Sequence, residues 1–275
     1  MLFVRRRPRA PLDQAIEAVW YFRRAPRPFA LERVLPTGAA QLVINLKTDV
    51  TRAYDLRARV RTAPGSVLVG PRTTFEIIDS DEQEHVAGVV FRPGGTRAVF
   101  APPAHEFGAG DVPLETLWTA AAAARLREQL LAAASPAAAL DVLEQALLAA
   151  WRDRPAHPAV TAALAAFARA PYAVRVGDVA GAVGLSPKRF IERFRTEVGL
   201  TPKQFCRVRR FQQALSRAHA EREVDWTGVA LSSGYYDQAH FIHDFRAFSG
   251  LTPTGYRSAR TAFQNHVTFL QAPAS

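Results

Sequence analysis

The sequence predicts an α+β protein of two domains: a β-rich domain with trailing helices over residues 1–157, then an all-α domain over residues 158–275. Three observations carry this. Before about residue 117, short β-branched and aromatic runs alternate with turn residues. Beyond it, alanine and leucine recur at helical spacing. Near the C-terminus one 24-residue pattern is written twice, as "GLSPKRFIERFRTEVGLTPKQFCR" at 184–207 and "GYYDQAHFIHDFRAFSGLTPTGYR" at 234–257.

In the first domain "QLVINL" (41–46), "SVLVG" (66–70), "TFEIID" (74–79) and "HVAGVVF" (85–91) read as strands. Pro36-Thr37-Gly38, Ala63-Pro64-Gly65, Gly70-Pro71 and Arg92-Pro93-Gly94-Gly95 supply the turns. From Leu117 to Trp151 two helices are expected, divided at Ser135-Pro136 by an N-cap and a proline in the first helical position. "DRPAHP" (153–158) is the expected linker, and everything after it is expected to be helical.

With 275 residues, 48% of them hydrophobic, the chain can build two cores. Its one cysteine, Cys206, excludes an internal disulfide and a thiolate metal cluster, which predicts a reducing compartment. The start, "MLFVRRRPRAP", places its charges after a three-residue apolar stub and lacks the long apolar stretch of a secretory signal. The alanine-rich run 119–134 is cut by Arg125, Arg127 and Glu128, so no membrane span is expected. A cytoplasmic protein follows from these readings. The net charge is +10, and its location is informative: Lys and Arg outnumber Asp and Glu by 15 to 8 from residue 158 onward, against 20 to 17 before it. The excess gathers around the repeat, as it would in a surface that displaces counterions from nucleic-acid phosphates.

Read in detail, each copy of the repeat is helix, glycine turn, helix, stop. Val179-Ala180 and Val229-Ala230 sit in the first helices, Gly184 and Gly234 in the turns, and Ser186 and Asp237 cap the second helices. Past the cap the offset is 51 residues, pairing Phe190 with Phe241, Phe194 with Phe245 and Arg195 with Arg246. Gly199 and Gly250 close the helices, and Thr201-Pro202 and Thr252-Pro253 open the next ones. In such a helix-turn-helix the second helix buries one face and offers the other to the DNA major groove. Phe190, Phe194 and Val198, and in the second copy Phe241, Phe245 and Phe248, form the expected core faces. Lys188, Glu192 and Arg195 face outward in the first copy. Gln238, Ala239, His240, His243, Arg246 and Ala247 do so in the second. These residue types suit base edges and phosphates, although a solvated polar face is the plainer alternative for any one of them.

On these motifs, residues 174–257 resemble the double helix-turn-helix domain of the AraC/XylS family of bacterial transcription regulators. The resemblance rests on the glycine turn, the capped second helix with its central Phe, the Gly-x-x-Pro stop and the final Tyr256-Arg257. It implies a linking helix at about 202–218 and two recognition helices in successive major grooves of double-stranded DNA. Carried over by position, base contacts fall on Lys188, Ile191 and Glu192, and on Gln238, Ala239, His240 and His243. Phosphate contacts fall on Arg195, Lys203 and Arg246. Glu192 stands where many members carry Arg, which leaves readout of cytosine, repulsion of wrong sites and a local ion pair as its roles. RNA polymerase and a second copy of the chain are further candidate partners.

"LPTGAAQLVINL" (35–46), Gly70-Pro71 and "GVVFRPGG" (88–95) resemble the N-terminal β-rich domain of an AraC-type subgroup, which implies a cupin-like sensor or dimerisation barrel. Candidate contacts for an unknown small-molecule effector are Asn45, Arg72, Phe75, Phe91 and Arg92. No catalytic residue, metal or cofactor is expected: His85, His105 and His157 lack the His-x-His spacing of a metal cupin, and no Gly-x-Ser-x-Gly elbow is present. His240 and His243 beside Asp237 and Asp244 are the other metal candidates, but their place on a recognition helix favours DNA. Cys206 reads as a packing residue. A DNA-tethered small-molecule enzyme and an effector-independent architectural DNA-binding protein are the alternative functions.

Overall fold

The structure, a computed structural model, describes residues 1–25, 31–56, 59–169, 175–221 and 223–269. The N-terminal half contains β1 (Leu2–Arg6), β2 (Ile16–Arg23), β3 (Leu31–Val34), β4 (Gln41–Asn45), β5 (Val50–Tyr54), β6 (Val60–Pro64), β7 (Ser66–Val69), β8 (Glu76–Asp79), β9 (His85–Phe91) and β10 (Asp111–Pro113). The helices α1 (Leu114–Leu117), α2 (Ala120–Leu131) and α3 (Pro136–Ala149) follow. The strands form a six-stranded antiparallel sheet, ordered β1-β2-β9-β4-β7-β10, and a smaller sheet that contains β3, β8, β5 and β6.

Strand periodicity explains why the larger sheet is apolar on both faces. Leu42 and Ile44 of β4 and Leu68 of β7 join Leu126, Leu130, Leu140, Leu143 and Leu147 in a core beneath α2 and α3. Their neighbours Gln41, Val43, Val67 and Val69 turn the other way, into a cavity between the sheets. Ser135 caps α3 as expected, accepting from the Ala138 N–H.

The C-terminal half runs α4 (Pro158–Arg169), α5 (Val176–Ala182), α6 (Pro187–Val198), α7 (Pro202–Ala220), α8 (Trp226–Ser232), α9 (Gln238–Ser249), α10 (Pro253–Ala259) and β11 (His266–Phe269). Two aromatic cores hold it. Val160, Phe167, Phe190, Phe194 and Phe205 pack together around the first helix-turn-helix. Phe211, Phe241, Phe245, Phe248 and Tyr256 do so around the second. Burying each such side chain contributes about 2–3 kcal/mol relative to exposure.

The basic start is strand β1 at the edge of the larger sheet, where Arg6 reaches Asp141 and Glu144 of α3 at 2.6 and 2.9 Å. One expectation is corrected: the C-terminal segment does not stay helical. β11 pairs antiparallel with β3, Val267 opposite Arg33, and so completes the smaller sheet. Val267 is fully buried in the core of the second unit, and Leu35 of the N-terminal half is buried in that same core. "HVTF" is four residues long, and its strand state depends on a partner more than 200 residues away.

Candidate nucleic-acid interface

Both second helices are built as the repeat requires. In α6 the Ser186 hydroxyl accepts from the Arg189 N–H, and in α9 the Asp237 carboxylate accepts from the His240 N–H at 2.7 Å. Gly184 and Gly234 hold φ of 69° and 77° in the turns, and Gly199 and Gly250 hold 88° and 68° at the helix ends, values that favour glycine. The linking helix α7 starts with a capping box between Thr201 and Gln204. Its Cys206 is half-buried, and burial pushes the thiol up to about 11, which keeps it protonated and unreactive.

With the phenylalanines buried, the opposite faces are open. Lys188, Ile191, Glu192 and Arg195 of α6 are exposed, as are Gln238, Ala239, His243 and Arg246 of α9 and Lys203 of α7. His240 is half-buried because its ring meets the Tyr235 ring edge-on at 5.3 Å. Two exposed residues escaped the sequence reading. Arg189 stands at the position in α6 that matches His240, and Tyr236, 90% exposed, immediately precedes the cap of α9. An aromatic residue between a glycine turn and a helix cap is the signal that would have found the second.

Each unit also buries one carboxylate on its second helix. Glu197 of α6 is 2% exposed and meets Arg97 of the N-terminal half at 2.7 Å while accepting from the His157 N–H at 2.9 Å. Asp244 of α9 is also 2% exposed and accepts from Arg207 of α7 at 2.6 Å. That hydrogen bond, offsetting the effect of burial, raises the Arg207 guanidinium above its ordinary range. Arg97 and Arg207 both lie far in sequence from the carboxylates they meet, so periodicity could not reveal these two pairs.

The N-terminal half grips the same helices at their ends. A Cβ added at Gly199 would lie 3.0 Å from both the Ala104 carbonyl oxygen and the Pro71 side chain; one added at Gly250 would lie 2.5 Å from the Phe75 ring. Residues 71–75 therefore touch the ends of both second helices. Between those two contacts, Arg72 lines the cavity of about 170 Å³ that separates the sheets. It pairs with Glu76 at 2.6 Å and Asp111 at 2.7 Å. The walls are largely apolar, with Trp20, Val43, Val67, Ala53 and Ile78 among them.

Of the five expected effector contacts, Arg72 alone lines this cavity. Asn45 is buried in a turn, donating to the Glu82 carbonyl and accepting from the Lys47 and Thr48 N–H groups. Phe91 is on the opposite face of the sheet, packed on Phe100. Arg92 donates to the Asp13 carbonyl at 2.9 Å. Phe75 belongs to the contact with Gly250. In each case a backbone or core partner has taken the group that polarity or size alone made eligible. Among the described residues no group of three or more His, Cys, Asp or Glu is arranged to hold a metal ion, and no helix is long and apolar enough to cross a membrane.

Residues 179–259 match a family described as a helix-turn-helix domain, and residues 4–113 match a domain of unknown function (DUF6597). A probable transcriptional regulator of Photobacterium leiognathi, LumQ, is 29% identical over 84 residues, 30% of this chain and 34% of that protein. The chain thus covers about a third of that curated relative's length. Among solved structures, a transcriptional regulator with an AraC-type DNA-binding domain from Chromobacterium violaceum aligns 90% of its chain with 37% of this one, at 22% identity and a TM-score of 0.33. Wild-type ToxT from Vibrio cholerae, bound to an unsaturated fatty acid, aligns 94% of its chain with 93% of this one, at 11% identity and a TM-score of 0.46.

Proposed function

We propose that the chain is an AraC-type transcription regulator, on the match of residues 179–259 to a helix-turn-helix family and on its paired helix-turn-helix units, and that it binds duplex DNA sequence-specifically with α6 and α9 in successive major grooves. The observation that carries the reading is the repeated second helix: capped, backed by phenylalanines, and open on its polar face. The spacing supports it. At 1.5 Å per residue the 19-residue α7 is about 28 Å long, close to the roughly 34 Å of one DNA turn. In this reading Lys188, Ile191 and Glu192, and Gln238, Ala239, His240 and His243, meet base edges. Arg195, Lys203 and Arg246 hold phosphates.

The N-terminal domain is the sensor in this proposal, with the cavity as the effector site. Its volume is below the several hundred Å³ of drug-sized ligand pockets, so the effector is a small molecule of few atoms. Occupancy would reach the DNA-binding half through residues 71–75, which leave the cavity wall to touch both recognition helices.

Fluorescence anisotropy of the full chain on labelled duplex DNA, across a series of salt concentrations, tests the DNA-binding reading. Affinity should fall about tenfold or more from low to physiological salt, because several phosphate contacts release counterions. Salt-independent binding, or none, contradicts it.

A further inference from the structure

Asp244 lies one helical turn after His240, at the border between the phenylalanine face of α9 and its exposed face. Its carboxylate is the meeting point of four side chains. Arg207 approaches it with two nitrogens, Nη2 at 2.6 Å from Oδ1 and Nε at 3.4 Å from Oδ2. Arg210 lies 3.9 Å from Oδ2. On the other side His243 Nδ1 is 3.7 Å from Oδ1 and His240 Nε2 is 3.8 Å from Oδ2.

The two arginines are themselves fixed on α7. Arg207 sits over the Phe248 ring at 5.2 Å. Arg210 sits over the Tyr235 ring at 4.7 Å and donates to the Gly234 carbonyl in the turn. A chain of contacts therefore runs from the linking helix through Arg207 and Arg210 to Asp244, and from Asp244 to the two imidazoles.

We infer that Asp244 is a positioning residue that decides which bases the second unit prefers: it fixes the rotation of α9 and the direction of His240 and His243 without touching DNA. The inference rests on reading α9 as a DNA-recognition helix. Stability alone gives little reason for a charge here, since replacing a buried ion pair by apolar residues is often neutral or stabilising. The first unit differs, with the half-exposed Arg193 at the matching position.

The test is binding-site selection from a randomised duplex pool at fixed salt, using the full chain as wild type, as Asp244→Asn and as the double variant Asp244→Val/Arg207→Met. Lys188→Ala and Gln238→Ala mark the base pairs belonging to α6 and α9. Both Asp244 variants should change the preferred base, or lose about tenfold discrimination, at the pairs marked by Gln238→Ala, and should keep those marked by Lys188→Ala. The double variant removes both charges together, so it leaves no unpaired Arg207 behind.

Unchanged preferences, or a uniform loss of affinity across sequences, in a variant with wild-type circular dichroism would overturn the inference. So would a double variant that does not fold, because that outcome assigns Asp244 to the core alone. A wild type that selects no sequence defeats the DNA-reading proposal first, and this inference with it.

Discussion

The first helix-turn-helix ties its buried carboxylate, Glu197, to Arg97 in the N-terminal half, whereas the second ties Asp244 to Arg207 on the linking helix. What the two copies share is local: caps, glycine turns, phenylalanine faces and Gly-Leu-Thr-Pro stops. What separates them is long-range. The second unit meets the N-terminal half through other partners: Leu35 joins its core, Phe75 packs against Gly250, Gln212 donates to the Pro36 carbonyl, and β11 pairs with β3. A repeated motif can thus keep its fold while each copy packs against a different neighbour.

The largest effects should come from the two cores. Phe194→Ala and Phe245→Ala each remove a fully buried ring and should cost about 3–5 kcal/mol. Because the rings belong to separate clusters, hydrogen exchange should show opening concentrated in the unit that carries the substitution. Equal opening of both units in both variants would mean that the copies are one cooperative body, and the comparison would fail.

Next is the ion pair that only the first unit makes. Arg97→Met leaves Glu197 with the His157 N–H and, at 4.0 Å, Arg193, and should cost about 2 kcal/mol, below the full cost of breaking a buried pair because Arg97 is itself a third exposed. Limited proteolysis should then cut faster at 151–157. The preferred DNA sequence should not change, since Arg97 lies far from the exposed faces of α6 and α9 in sequence and serves the domain contact. A changed base preference would show that the N-terminal half orients the reading side chains directly.

Local rules made much of the candidate interface legible in the sequence. Every cap and C-terminal glycine of α6 and α9 lies within a few residues of the helix it serves, and 100° periodicity separates Phe241, Phe245 and Phe248 from His243 and Arg246. Other features depend on partners that no local pattern reveals. β11 needs β3, Asp244 needs Arg207 on another helix, and the Asn45 amide donates to the distant Glu82 carbonyl. Pairing across the fold, more than residue type, decided those outcomes.

The smallest effects should be at the phosphates. Arg195→Ala and Arg246→Ala, at matching positions in the two units, should each flatten the dependence of log affinity on log salt by about one unit and weaken all sequences alike. A large difference between the two slopes would indicate that one recognition helix stands away from the backbone.

In the proposed function the two copies are two readers of one DNA site. Selection of bound sequences by the full-length wild type tests it most directly, repeated with Lys188→Ala and with Gln238→Ala/His243→Ala. The prediction is two blocks of preferred base pairs with centres about 10 base pairs apart, one relaxed by the α6 substitution and the other by the α9 substitutions. A single block, or two blocks that both survive every substitution while affinity falls uniformly, would contradict it.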